Sequence, residues 1–367
     1  MTDERTPPPG ADAAPAIVAR KDDHLEIAAR ESSLHASGTG LRAFRLRHRA
    51  LPGRDLGDVS LRTELLGVTL AAPILVSAMT GGTERARLVN DRLAAAAASA
   101  GLAMGLGSGR ALLADPSLLP TYRLAVRPPL LLANLGAVQL ALGRTPADAE
   151  RLVELCGADG LVLHLNPVQE AVQPGGDTAF GGLAERIAAV VERLAPRPVV
   201  AKEVGFGLDP RDVALLVDAG VAAVDVAGAG GTNWAAVEGG RDERAAVVAA
   251  AFRDWGWPTA RAVAEAVAVA GPAGVPVIAS GGIADGVEAA IAIALGARIA
   301  GLARPFLLAA LEDRAEAAAA ALVDQLRIAV WAAGAPSPGD LTPNHLMTPY
   351  RPDPAGSAGG ASNGDLR

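Results

Sequence analysis

The stretch PVIASGGIADGVEAAIAIALGARIAGLARPFL (276–307) reads as strand, glycine turn, helix, strand and turn in succession. Two short apolar runs, 276–282 and 299–305, flank VEAAIAIALGA, whose composition and length suit a helix. Gly281 and Gly282 allow a backbone to approach an anion, and the helix that follows offers its N-terminus. In a (β/α)8 barrel the loops after the last two strands are the usual phosphate seat. The alternative is a tight glycine turn that only joins strand to helix.

Upstream, the same alternation recurs. Apolar runs occupy 72–79, 101–108, 129–136, 160–166, 198–205 and 222–228, separated by Ala/Leu-rich amphipathic stretches. With the two runs above they predict a closed (β/α)8 barrel, an α/β fold, rather than an open sheet. Each run ends in residues that a buried strand would not choose for packing: Thr80, Ser108, Asn134, His164 with Asn166, Lys202, Asp225, Ser280 and Arg304. Active sites of such barrels lie at the C-terminal strand face, so these residues converge on one place.

The chain has 367 residues, enough for one large barrel domain over 17–350. Residues 1–16 and 351–367 are rich in Pro, Gly, Ser and charge and are expected to be disordered tails. The net charge of -7, with both signs interspersed, supplies no basic stripe and argues against a nucleic-acid partner. The acidic, Pro-rich start is unlike a signal peptide, and no apolar run is long enough for a bilayer, so a cytoplasmic protein without a membrane partner is expected. Cys156, the single cysteine, falls on a helical pattern and is expected to be buried and inert. Aromatic residues make up only 3%, so helices are expected to pack through small side chains. Two stretches exceed the repeat, 17–70 with RKDDH and 229–275 with GTNWAAVEGGRDE, and both read as lids or walls of the functional face.

Lys202 is a charge inside an apolar strand, which requires a partner. A flavin's pyrimidine edge is the preferred one; an ion pair with Glu203 or Asp225 is the alternative. HLNPVQEAVQPGGD (164–177) gathers a carboxylate and amides that suit magnesium held by one protein ligand plus substrate phosphates, or else form a hydrogen-bonded turn. Arg20, Lys21 and His24, with Ser108 and Arg110, could clamp a diphosphate; for Arg20 and Lys21 periodicity alone prefers solvated surface.

The ordered series RKDDH, SAMTGGT (77–83), GSGRA (107–111), ANLGAVQ (133–139), HLNPVQEAVQPGGD, KEVGFG (202–207), DVAGAGGTNW (225–234) and SGGI (280–283) resembles the type 2 isopentenyl diphosphate isomerases, FMN-dependent barrels. The resemblance implies that Ala78, Met79, Thr80, Ser108, Asn134, Lys202, Thr232, Gly281, Gly282, Ala303 and Arg304 line FMN. It implies that Arg20, Lys21, His24, Ser108, Arg110 and Gln169 hold the diphosphate substrate and that Glu170 binds Mg2+. Gln169, His164, Asn166 and Lys202 then form the catalytic set. The implied reaction interconverts isopentenyl and dimethylallyl diphosphate by proton transfer at a reduced flavin, with NADPH as reductant and a homo-oligomer, tetramer or octamer, as the assembly.

Departures from the family pattern stand at Gly109, Ala227, Gly175 and Arg49. Gly109 is expected to remove a side chain beside the substrate cluster and Ala227 a hydroxyl near the flavin, which leaves open a different prenyl-like diphosphate as substrate. A flavin-dependent hydroxy-acid oxidase would need a histidine near the sixth or seventh strand, and 222–282 contains none. A nucleotide dehydrogenase would need a loop cysteine, unlike Cys156. A non-catalytic flavin binder would not need Arg20, Lys21, Gln169 and Glu170.

Overall fold

A computed structural model describes residues 14–347. Eight parallel strands close into a barrel: β1 (Ile74–Val76), β2 (Ala103–Gly105), β3 (Leu130–Gly136), β4 (Gly160–Leu165), β5 (Val199–Glu203), β6 (Ala223–Asp225), β7 (Val277–Ala279) and β8 (Ile299–Leu302). Each lies within one of the apolar runs. Closure is made where Ala300 of β8 pairs with Ile74 of β1.

The register sets the chemistry of the rim. Gly136 pairs with His164, His164 with Lys202, and Lys202 with Asp225, so these residues lie at one height around the C-terminal end of the barrel. Below that layer the lumen is filled by Leu75, Leu130, Leu132, Val162, Val200, Ile278 and Ile299. A hairpin, Thr63–Leu65 paired with Val68–Leu70, inserts Leu65 and Leu70 under the same cluster. It closes the mouth opposite the site. The 17–70 stretch is therefore not wholly a wall of the functional face, as its length suggested: its first part is, and its last part is a plug.

The helices that bear on the site are α1 (Ala14–Ala28) ahead of the barrel, α2 (Pro167–Val172) after β4, α3 (Trp234–Gly239) after β6, α4 (Gly286–Ala294) after β7, α5 (Arg304–Leu311) after β8, and α6 (Ala315–Ala332). α1 begins at Ala14, inside the stretch expected to be a tail; the rest of that stretch and 351–367 lie outside the described residues. Cys156 ends the helix Pro146–Cys156 and is buried, and burial pushes its thiol up to about 12. Among the described residues no helix is long and apolar enough to cross a membrane.

Asp285 starts α4 by accepting the N–H groups of Val287 and Glu288. The helix then packs on α6 at the short range that small side chains permit: a Cβ on Gly286 would stand 2.5 Å from the Leu326 nitrogen and 2.6 Å from the Leu322 oxygen. Backbone cannot yield as a side-chain tip can. Gly286→Ala is therefore expected to lower the unfolding free energy by about 2 kcal/mol, the ordinary cost of overpacking. Urea denaturation should show the loss as a lower midpoint at unchanged slope.

Candidate active site

At the end of β5 the chain alternates a cation facing in with a carboxylate facing out. Lys202 Nζ sits 3.1 Å from Asp225 Oδ2 and donates to Ser280 Oγ at 3.2 Å, while Ser280 Oγ donates to Asp225 Oδ1. The ion pair that ranked second as a partner for Lys202 is thus present, and Lys202 lines the cavity as well. Strand register explains the pairing. Glu203 takes no part in it: its Oε2 accepts the N–H groups of Val204, Gly205, Phe206 and Gly207 and fixes the loop after β5.

On β4, His164 Nδ1 lies 2.7 Å from Asn134 Oδ1 and donates to it. Burial first, then the charges of Lys21 and Lys202, push the imidazole down to about 3, so it is neutral at physiological pH. In the loop that follows, Asn166 Nδ2 donates to Gln169 Oε1 at 3.1 Å and to Glu170 Oε1 at 3.0 Å. Glu170 Oε2 accepts the Asp177 N–H at 2.8 Å. Burial raises the Glu170 carboxyl above its usual range against these bonds.

Gln169 Nε2 donates to Glu238 Oε1 at 2.8 Å. Glu238, on α3, is fully buried and also meets His24 Nε2 at 3.0 Å and Arg241 at 3.3 Å. Burial alone would raise its carboxyl, but the bonds from His24 and Gln169 and the charge of Arg241 leave it lowered.

α1 places Arg20, Lys21 and His24 over the same opening, at a spacing that keeps them together on a helix. Lys21 Nζ donates to the Ser108 carbonyl at 2.9 Å, and burial, then Arg20 and Arg110, push it down to about 8. Arg20 is likewise lowered, burial first. The solvated-surface reading of these two cations does not describe them. Arg110 pairs with Asp177 at 2.6 Å, and Asp177 also accepts from Gln139 Nε2 at 3.0 Å.

The loop after β7 turns through two left-handed glycines, Gly281 at φ 102° and Gly282 at φ 72°. A Cβ on either would collide with backbone of the loop after β6, at Gly228 and Gly230. The neighbouring loop is thus reason enough for both glycines, apart from any anion. These elements enclose one cavity of about 530 Å³, within the range of small-molecule sites. Every residue singled out above for flavin, substrate, metal or catalysis borders it. Asp225 stands behind, on Lys202.

Several buried polar atoms on this wall have no partner among the described residues: Ser77 Oγ, Thr80 Oγ1, Asn166 Oδ1, Arg110 Nε and Arg304 Nε. Such atoms are costly unless something else satisfies them. Together with the glycine turn they fit a ligand carrying both ring amide groups and a phosphate. No group of three or more His, Cys, Asp or Glu side chains arranged for a metal occurs among the described residues.

Glu238, Arg241 and Trp234 were not among the candidate residues, although the stretch containing them stood out. The signal was available: Glu238 is an acid in the apolar run WAAVEG, the same anomaly that marks Lys202. Trp234 packs edge-on against His24, with ring centroids 5.4 Å apart.

The chain is 51% identical over 297 residues to the isopentenyl-diphosphate delta-isomerase of Synechococcus sp., covering 79% of this chain and 84% of the relative. It is 47% identical to the enzyme of that name from Stutzerimonas stutzeri, covering 90% and 97%. The chain belongs to the type 2 isopentenyl diphosphate isomerase family. The profile of the FMN-dependent dehydrogenases also matches residues 173–348. In fold it is similar to (S)-mandelate dehydrogenase (TM-score 0.62, 18% identity, 93% of this chain and 99% of the other). A mandelate oxidase with a monooxide FMN adduct gives TM-score 0.57 at 22% identity, covering 89% and 92%.

Set against the family pattern, the four departures separate. Gly109 removes nothing from the cavity, contrary to expectation: a Cβ there would run into Leu152 on the helix behind the barrel, while Ser108 and Arg110 on either side line the cavity. Arg49 lies outside, its backbone tied to Ala332 and its side chain over Gly334. Gly175 makes an exposed left-handed turn with open space around it. Only Ala227 borders the cavity, at φ 37°.

Lys21 should hold an anion while protonated and release it as pH rises through about 8. KM for a diphosphate substrate is thus expected to climb above about pH 8, and Lys21→Arg, whose guanidinium stays charged, should flatten that rise. A KM profile from about pH 6 to about pH 9.5 checks both. His164 should contribute no inflection in this range.

Proposed function

We propose that this protein interconverts isopentenyl and dimethylallyl diphosphate, with FMN seated against Gly281, Gly282, Ala303 and Arg304 and reduced at the expense of NADPH. The observation that carries the reading is a cavity lined by two groups of anion-binding residues from different elements, the glycine turn with Arg304 and the cluster of Arg20, Lys21 and Arg110. One suits a phosphomonoester and the other a diphosphate.

Ser77, Thr80 and Asn134 would hold the flavin ring, with Lys202 at its edge under the control of Asp225. Reduced FMN, when bound, supplies an acid and base for moving a proton on and off an unactivated alkene. The chain's own residues do the rest. Arg20, Lys21 and Arg110 grip the remote diphosphate, and α3 and α1 exclude water, which positions the alkene and strengthens each charge nearby. Gln169, tied at Oε1 by Asn166 and at Nε2 to Glu238, offers a polar group that cannot swing away. Neutral His164, with Nδ1 committed to Asn134, keeps Nε2 as an acceptor.

Glu170 would hold magnesium against the diphosphate, since a hard cation with few protein ligands favours one carboxylate plus phosphate oxygens. Its hydrogen bonds from Asn166 and Asp177 fix the carboxylate for that role. Substrate and product share one formula and oxidation level, so each turnover adds one proton and removes another.

Anaerobic incubation with FMN, NADPH, magnesium and isopentenyl diphosphate should yield dimethylallyl diphosphate in excess of NADPH consumed. Nicotinamide oxidation in step with product would show a reductase instead. Glu170→Gln should leave a yellow, folded protein whose turnover falls by roughly a hundredfold or more and whose magnesium requirement rises, the scale of a lost positioning group. Wild-type behaviour in a magnesium titration would remove the metal from Glu170.

A further inference from the structure

Arg304 opens α5 directly after β8 and lines the cavity beside Gly281 and Gly282. Its Nη2 donates at 3.1 Å to the carbonyl of Ala29, the residue just past the end of α1. The last carbonyls of a helix lack internal partners and carry partial negative charge, so this guanidinium caps α1 from the start of a helix far away in sequence. Its Nε is buried and has no partner among the described residues. A guanidinium is a rigid plane of donors, so whatever fixes one edge aims the other.

α1 carries Arg20, Lys21 and His24, and its polar ties among the described residues include Lys21 to the Ser108 carbonyl, Asp22 accepting from Thr83 Oγ1 at 2.7 Å, Asp23 to Arg241 at 3.2 Å and His24 to Glu238 at 3.0 Å. Among the described side chains, Leu25, Ile27 and Ala28, at the Ala29 end, are buried apolar residues. That end is where Arg304 takes hold.

We propose that Arg304 is a positioning residue that couples the phosphate seat to α1. An anion on the seat satisfies Nε and fixes the guanidinium plane, and Nη2 then holds the end of the helix that carries the diphosphate-gripping cations. The two anion sites are linked through one side chain, so filling either favours the other by the same factor. The inference rests on the proposed function in taking the seat's anion to be the phosphate of FMN. It predicts that riboflavin, the same ring without phosphate, fails to order α1.

The test is hydrogen exchange of backbone amides 20–29 in the full chain, alone, with FMN and with riboflavin, with flavin occupancy read from fluorescence quenching in the same samples. FMN should slow exchange in wild type by roughly tenfold, about what one hydrogen bond to a charged group supplies, and riboflavin should not. Arg304→Ala at full FMN occupancy should lose the slowing and raise KM for isopentenyl diphosphate by a similar factor. Arg304→Lys keeps a cation at the seat without the second arm; it should bind FMN and still lose the slowing, which decides the matter if the alanine variant misfolds. Equal slowing by riboflavin, or slowing retained in either variant, overturns the coupling alone. Absence of FMN binding by wild type overturns the FMN reading and the coupling with it.

Discussion

The rest of the site depends on the cost of gathering cations in a partly buried cavity. Arg20, Lys21, Arg110, Lys202 and Arg304 line one cavity, and removal from water together with mutual repulsion already pushes Lys21 down to about 8 and His164 to about 3. Carboxylates offset part of that cost: buried Asp225 for Lys202, half-buried Asp177 for Arg110, and buried Glu238 near Arg20, His24 and Arg241. Breaking any of these pairs would leave an uncompensated charge, so the carboxylates are as necessary as the cations they hold. The donors left over on Arg110 and Arg304 are the capacity that remains for anionic ligands.

Barrel geometry delivers these groups without long-range design. Parallel register puts His164, Lys202 and Asp225 side by side, and the closed sheet fixes their spacing. The two additions to the simple repeat then close the opening, α1 from before the first strand and α3 from after the sixth. They meet through His24 and Glu238, so the polar contact that joins the walls lies beside Gln169.

Much of this was legible in the sequence because a charged or amide residue at the end of an apolar run has few structural uses. Lys202 and Asn134 are readable on that ground, and eight such runs suffice for the barrel. What could not be read depends on which way a backbone faces. Gly109 reads as a member of the substrate cluster because its neighbours belong to it, yet its Cβ direction is toward Leu152. The segment 17–70 reads as one wall because no periodicity separates α1 from the hairpin at 63–70 that plugs the other mouth. Glu238 is marked in the sequence as an acid in an apolar run, but its partners are not: only the fold brings Gln169 and His24 to it, beside the nearby Arg241.

One cavity is proposed to hold a phosphomonoester and a diphosphate at two separate groups of residues. A crystal structure of the protein with FMN and isopentenyl diphosphate tests this most directly. The account predicts the FMN phosphate on the Gly281–Gly282 turn beside Arg304, the diphosphate among Arg20, Lys21 and Arg110, and the flavin ring between them against Lys202. A diphosphate bound on the glycine turn, or a flavin ring lying outside the reach of Lys202, would contradict it.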